Sequence, residues 1–337
     1  MSLKSILSAA IAALALVTGA ASADEPVNVR IAWVVPIANW ASILYEKKDL
    51  MTHYGKSYTV EPVHFQSTPQ MITALGAGEL EIADLAYSSF GIAVENAGMS
   101  DLRIIADEAR DGYDGYYSGE YCVLKDGPIK TIEDLKGKTV GTVGEGSAID
   151  IPVKILLRKH GLESPRDYTV VEAPFNNMPA MLLAKKLDFI ATVPPFSLNP
   201  DLKAQGRVLF TVKDALEGPT EFIIWAARNE FLQKHRAAMV DLFEDAVRVT
   251  RFLTDPKNHD AAVQIAAKVI KQPPERLGWV YTKVNDYSDP NMRPDLASFQ
   301  RAVDLTQQNG FLKQKLDVQK YADLSILEDA IKRLPPQ

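Results

Sequence analysis

Two series of short β-like segments alternating with helical ones restrict this chain to a small set of folds. Residues 29–35, 58–65, 82–87 and 102–106 read as strands, with helices over 39–50, 69–77 and 90–97 between them. Strands that alternate with helices read as βαβ units, which build a parallel, doubly wound sheet. A second series follows. Residues 116–124 are extended, and 128–137 form a short helical turn with Thr131 as N-cap and Gly137 as C-cap. Strands over 139–143, 168–172, 189–193, 207–212 and 222–227 are interleaved with helices over 148–160 and 178–186. Beyond residue 229 the pattern changes to amphipathic helices such as 230–253 and 294–308. The expectation is an α/β chain of two lobes, each a mixed, mostly parallel sheet flanked by helices, with a helical C-terminal region.

The two series are joined at residues 113–120 and 213–221, both of which contain glycine. Two crossings make the first lobe discontinuous: residues 24–115 and 219–337 form lobe 1, and 116–218 form lobe 2. Residues 1–23 read as a secretory signal peptide. Lys4 is the positive start, 6–17 the apolar stretch, and Ala21-Ser22-Ala23 a small-residue cleavage site. The apolar stretch is too short to span a bilayer. A released protein in a bacterial periplasm is the expected form.

Charge and cysteine count remove several classes of function. The net charge is −6, or −7 once Lys4 is lost, and no basic block is present. This argues against nucleic acid and against anionic lipid as partners. The single cysteine, Cys122, excludes an intramolecular disulfide and CxxC redox chemistry. It sits in the apolar run Tyr121-Cys122-Val123-Leu124 and reads as a buried thiol. The five histidines show no metal-ligand spacing, and no Gly-x-Ser-x-Gly nucleophile elbow occurs. No catalytic group, metal or cofactor is expected.

In open α/β sheets, ligands bind beyond the carboxyl ends of the strands. The turns found there are the candidate site. After the first strand come Asn39, a natural N-cap, and Trp40, which suits either a ligand face or core packing. After the second come Ser67 and Thr68, followed by Pro69; helix capping explains these residue types equally well. Tyr87, Ser88 and Ser89 follow the third strand and offer hydroxyls. In the second lobe, Gly144-Glu145-Gly146-Ser147 opens a helix. Glycine lets backbone N–H groups approach a ligand, and the helix N-terminus carries partial positive charge, so this turn suits a small anion. It is neither a dinucleotide fingerprint nor a nucleotide P-loop. Asn176 and the Pro194-Pro195-Phe196 turn add amide and aromatic surface. Glu145, Glu221 and Arg110 lie near strand ends without a clear role.

Several fragments, in order, resemble one family. They are Pro69-Gln70-Met71-Ile72-Thr73-Ala74-Leu75, Gly78-Glu79-Leu80-Glu81-Ile82-Ala83, Tyr87-Ser88-Ser89, and the stretch from Asp126 through Thr131-Ile132-Glu133-Asp134-Leu135-Lys136-Gly137 to Lys138. Val140-Gly141-Thr142, Gly146-Ser147 and Asp188 near Pro194-Pro195 complete them. Together they resemble the sulfonate/taurine/nitrate-type solute-binding proteins of ABC importers, a family that includes relatives similar to thiamine-pyrimidine synthases. The resemblance implies a type II periplasmic binding fold and a monomer whose lobes close on one small molecule. A membrane permease with its ATPase subunits would receive the cargo. Carried over by position, the ligand-binding residues are Asn39, Trp40, Ser67, Tyr87, Ser88, Gly146, Ser147, Asn176, Pro194 and Phe196. The expected ligand is a small organic anion, a sulfonate or carboxylate, with a pyrimidine or other nitrogen heterocycle as the alternative. The rivals from other classes are a thiamine-pyrimidine synthase-like enzyme, whose Cys-rich motif is missing here, and a ligand-sensing subunit.

Overall fold

The computed structural model describes residues 25–336. The expected signal peptide lies outside the described residues. Among the described residues, ten strands form two five-stranded sheets. The first contains β1 (Val27–Trp33), β2 (Tyr58–His64), β3 (Ile82–Ala86), β4 (Leu102–Asp111) and β10 (Thr220–Arg228), in the order β2-β1-β3-β10-β4. The second contains β5 (Glu120–Leu124), β6 (Thr139–Thr142), β7 (Thr169–Glu172), β8 (Phe189–Thr192) and β9 (Gly206–Thr211), in the order β7-β6-β8-β5-β9. In each sheet four strands run parallel and one antiparallel strand is inserted next to the edge: β10 in the first, β5 in the second. Both inserted strands come directly after a crossing. The chain leaves β4 to enter β5, and leaves β9 to enter β10.

The crossings lie against each other. Ser118 Oγ donates to the Asp111 carboxylate (2.5 Å) and accepts from the Lys213 N–H (2.9 Å). Gly119 N–H donates to the other Asp111 oxygen (2.6 Å), and Val212 N–H to the Gly119 carbonyl. Gly112 has φ +62°, and a Cβ there would sit 2.8 Å from the Lys213 side chain, so this turn requires glycine.

The C-terminal helices cover the first sheet. Helix Arg236–Thr254 packs with Ser325–Lys332 over a core holding Trp40, Trp225 and Phe243. Helix Leu296–Gln308 packs against Tyr87–Glu95 and β10. Strand β3 is buried at every position, as a central strand covered on both faces must be.

Three sequence expectations are corrected. Residues 39–50 form three short 3₁₀ turns, Trp40–Ser42, Leu44–Glu46 and Lys48–Leu50, and not one helix. Trp40, Ala41, Ile43, Leu44 and Tyr45 are all buried, which no single helical face can achieve. The expected helix over 230–253 is divided at His235, whose φ of −117° is not helical, into Asn229–Lys234 and Arg236–Thr254. Residues 128–137 hold only one 3₁₀ turn, Glu133–Leu135, because the Asp134 carboxylate accepts from Lys130 and Thr131 N–H and takes the place of a Thr131 cap.

Candidate functional site

A cavity of about 60 Å³ lies between the carboxyl ends of β1–β3 and those of β6–β8. Lobe 1 supplies Val34, Val35, Asn39, Ser67, Thr68 and Asp84 to its wall, with Phe222 and Ile223 from β10. Val143, Ser147, Phe175, Val193 and Pro194 form the facing wall, and Asp286 also lines the cavity. A larger groove shares Val34 and Phe175 with it and leads outward past Asn176 and Phe196.

The sequence candidates divide between three places. Asn39, Ser67, Ser147 and Pro194 line the cavity. Asn176 and Phe196 line the outer groove, where Phe196 stacks on Phe175 at 5.9 Å. Trp40 lines neither. It is fully buried, stacks on Tyr281 at 5.8 Å, and its backbone N–H donates to Glu108. Tyr87, Ser88 and Gly146 join the lobes. Ser88 Oγ donates to the Gly146 carbonyl (2.8 Å) and Tyr87 OH to the Ala148 carbonyl (3.3 Å).

Local chemistry explains these positions. Asn39 does not cap the turn after it. Its Oδ1 reaches back to accept from Val34 N–H (3.0 Å) and Val35 N–H (2.7 Å), which fixes the end of β1 at the cavity. Ser147 Oγ accepts from Asp150 N–H at the start of helix Asp150–Lys159 (3.2 Å), and its hydroxyl proton has no acceptor among the described residues. Ser67 makes no capping bond. It meets Gly144 so closely that a Cβ on that glycine would lie 2.8 Å from Ser67 Oγ.

The glycine turn is not an open anion cradle. The Gly146 N–H donates to the Asp150 carboxylate (2.9 Å), and the Glu145 N–H to Glu172 (2.8 Å). Lys154 pairs in turn with Asp150 (2.8 Å) and Glu145 (3.2 Å). The protein's own carboxylates therefore occupy the donors that an oxyanion would need. Arg110 and Glu221 are paired with each other at 3.0 Å, inside a buried group that includes Asp107.

The cavity wall instead carries acids that sequence reasoning missed. Asp84, in the middle of β3, is 1% exposed, and neither carboxylate oxygen has a hydrogen-bond partner. Burial pushes its carboxyl well above the usual carboxylate range. Asp286 makes no hydrogen bond or ion pair among the described residues; burial raises its carboxyl too, and Asp111 adds to the shift. The signal for Asp84 was present, since it is the one charge in the apolar run Ile82-Ala83-Asp84-Leu85-Ala86. Behind this wall the oxygen of Glu108 not bonded to Trp40 is also unpartnered. A separate trio, His53, Asp241 and Glu244, brings ligand atoms within 4.8 Å of one another. Arg333 and Arg248 pair with its carboxylates, so it is an ion-pair network on lobe 1.

Two sheets with exchanged strands and a cavity between their carboxyl ends define a two-lobed binding-protein fold. Residues 22–267 match the model of the NMT1-like family, and the chain belongs to that family. A putative thiamine biosynthesis protein of Haemophilus influenzae is 26% identical over 204 residues, which span 59% of this chain and 63% of that protein. The alkanesulfonate-binding protein SsuA of Xanthomonas axonopodis pv. citri, bound to MOPS, superposes with a TM-score of 0.68 at 18% identity, over 89% of this chain and 99% of SsuA. The periplasmic nitrate-binding protein NrtA of Synechocystis PCC 6803 gives 0.70 at 14%, over 92% and 89%. The desulfurization enzyme DszB gives 0.63 at 13%, over 91% and 99%. At these identities the structural likenesses carry the fold: mixed α/β sheets in two lobes with a helical C-terminal region, as in periplasmic binding proteins.

Proposed function

We propose that this protein is the solute-capturing receptor of an ABC-type import system. It would hold one small molecule between its lobes and deliver it to a membrane permease driven by ATPase subunits. The observation that carries this reading is the interlobe cavity bridged by Ser88–Gly146 and Tyr87–Ala148. A ligand held in that cavity touches both walls only when the lobes meet, and this difference in its own contacts is what shifts a protein from open to closed. Asn39, Ser67, Ser147 and Pro194 are the proposed ligand contacts within the wall. Removal of residues 1–23 would release a monomer into the periplasm; among the described residues no helix is long and apolar enough to cross a membrane.

The chemistry of Cys122 disfavours an enzyme that uses its thiol. The residue is buried in β5, outside the cavity wall, and burial pushes the thiol up to about 12. A thiol at that value supplies almost no nucleophilic thiolate at neutral pH.

Small-angle scattering of the mature chain, after unfolding and refolding to strip bound solute, tests the receptor reading. Addition of the solute recovered from the native protein should reduce the radius of gyration. A native protein that carries no solute, and a radius that no cell extract alters, would overturn it.

A further inference from the structure

We propose that the cavity takes a small organic cation whose N–H groups are bound by Asp84 and Asp286. This rests on the receptor reading and deepens it. It replaces the small organic anion suggested by the turn hydroxyls and the glycine turn.

The first argument is the state of Asp84. An ionised carboxylate accepts several hydrogen bonds, and buried carboxylates in folded proteins are almost always paired. Here both oxygens are bare, the residue is 1% exposed, and it forms part of the cavity wall. The second is the company it keeps. The charged group behind it is Glu108, two strands away on β4, another acid with an unpartnered oxygen. Asp286 enters the same cavity from the C-terminal segment and faces Asp111. The third is what the wall lacks. Among the described residues no lysine, arginine or histidine lines the cavity, and the Gly146 and Glu145 amides of the glycine turn are already bonded to Asp150 and Glu172. An anion here would meet two acids and no cation.

A protonated amine or amidine answers each of these points. It brings several N–H donors, neutralises the two acids of the wall, and leaves its carbon body to Val34, Val35, Val143, Phe175, Val193 and Phe222. Ser147, with a hydroxyl that still lacks an acceptor, supplies one further polar contact. Binding a cation requires the acids in their ionised form. Affinity therefore rises with pH through the range in which Asp84 and Asp286 ionise, against the opposing charges of Glu108 and Asp111. Binding at lower pH releases protons.

The test is calorimetry on the stripped mature protein with matched probes. Acetamidine, n-butylamine and benzamidine are the cations; acetate, butane-1-sulfonate and benzoate are the anions. At least one cation should bind, more tightly at pH 8 than at pH 6, and no anion should. Asp84→Asn keeps the shape and removes the charge. It should weaken the bound cation by roughly ten- to a hundredfold, the range for a lost charge-assisted hydrogen bond, with an unchanged melting profile. Asp286→Asn is the second variant if Asp84→Asn does not fold. An anion that binds where the cations fail overturns the cation assignment and leaves the receptor standing. Failure of all six probes also overturns it, and the scattering experiment then decides the receptor reading alone. A cation that binds Asp84→Asn and Asp286→Asn as it binds the parent overturns the role of the acids.

Discussion

Ser88 Oγ donates to the carbonyl of Gly146 across the gap between the lobes, at 2.8 Å. The donor sits at the start of helix Tyr87–Glu95, and the acceptor in the turn before Asp150–Lys159. Tyr87, one residue earlier, makes a second such bond to Ala148. Both acceptors are backbone carbonyls, so the closed form depends on the path of the lobe 2 turn more than on its side chains. Ser88→Ala should remove one neutral hydrogen bond from the closed form, worth about 0.5–1.5 kcal/mol. The expected result is a correspondingly weaker ligand affinity with little change in the melting point of the ligand-free protein. Calorimetry beside a thermal melt checks both, and unchanged affinity would take Ser88 out of closure.

Gly144 offers a steric test of the same movement. An alanine Cβ there would lie 2.8 Å from Ser67 Oγ and 3.2 Å from Ser67 Cβ. Gly144→Ala should act as a wedge that reduces affinity. In a Ser67→Gly background the same Gly144→Ala change should cost little, because the colliding atoms are gone. If Gly144→Ala weakens binding equally with and without Ser67→Gly, the two residues do not meet in the bound form.

Trp40 should matter for stability. Its ring is fully buried against Tyr281, and truncating a buried tryptophan costs about 3–5 kcal/mol. Urea unfolding of Trp40→Ala should show a loss of this order. A midpoint equal to that of the parent would contradict the packing.

The buried acids set the pH dependence of the ligand-free protein. Burial pushes Asp107 up to about 6 and Asp111 up to about 7. Between the unfolded value near 4 and these folded values, the native state holds protons that the unfolded state has lost. Stability is therefore fully present below about pH 4 for these groups and declines as pH rises through 6 and 7. Melting temperatures measured from pH 5 to pH 8 should fall, and Asp111→Asn should flatten part of that slope. A rise over the same interval would contradict it.

Much of the fold is legible in the sequence because βα alternation is a pattern of burial, and burial decides which elements form. The segment 39–50 misleads because its apolar residues are too dense for one face, so the chain tightens into turns. The turns after the strands pointed to Asn39, Ser67, Ser147 and Pro194, which do line the cavity. They could not reveal that Asp150 and Glu172 would fold back onto the glycine turn, since that depends on helix geometry beyond the turn. Asp84 is visible as an isolated acid in an apolar strand, but it lies within the strand and not in the turn beyond it, where ligand contacts are expected. Asp286 arrives from a region read as helical, and only the tertiary path brings it to the cavity.

The exchanged strands also impose an order on assembly. Strand β10 lies between β3 and β4, so β4 has no neighbour in its sheet until residue 228 has been made. The second sheet needs nothing beyond Thr211 and can be completed while the first still waits. Lobe 1 thus stays open along its middle until late in synthesis, its long-range pairing being the slower kind to form.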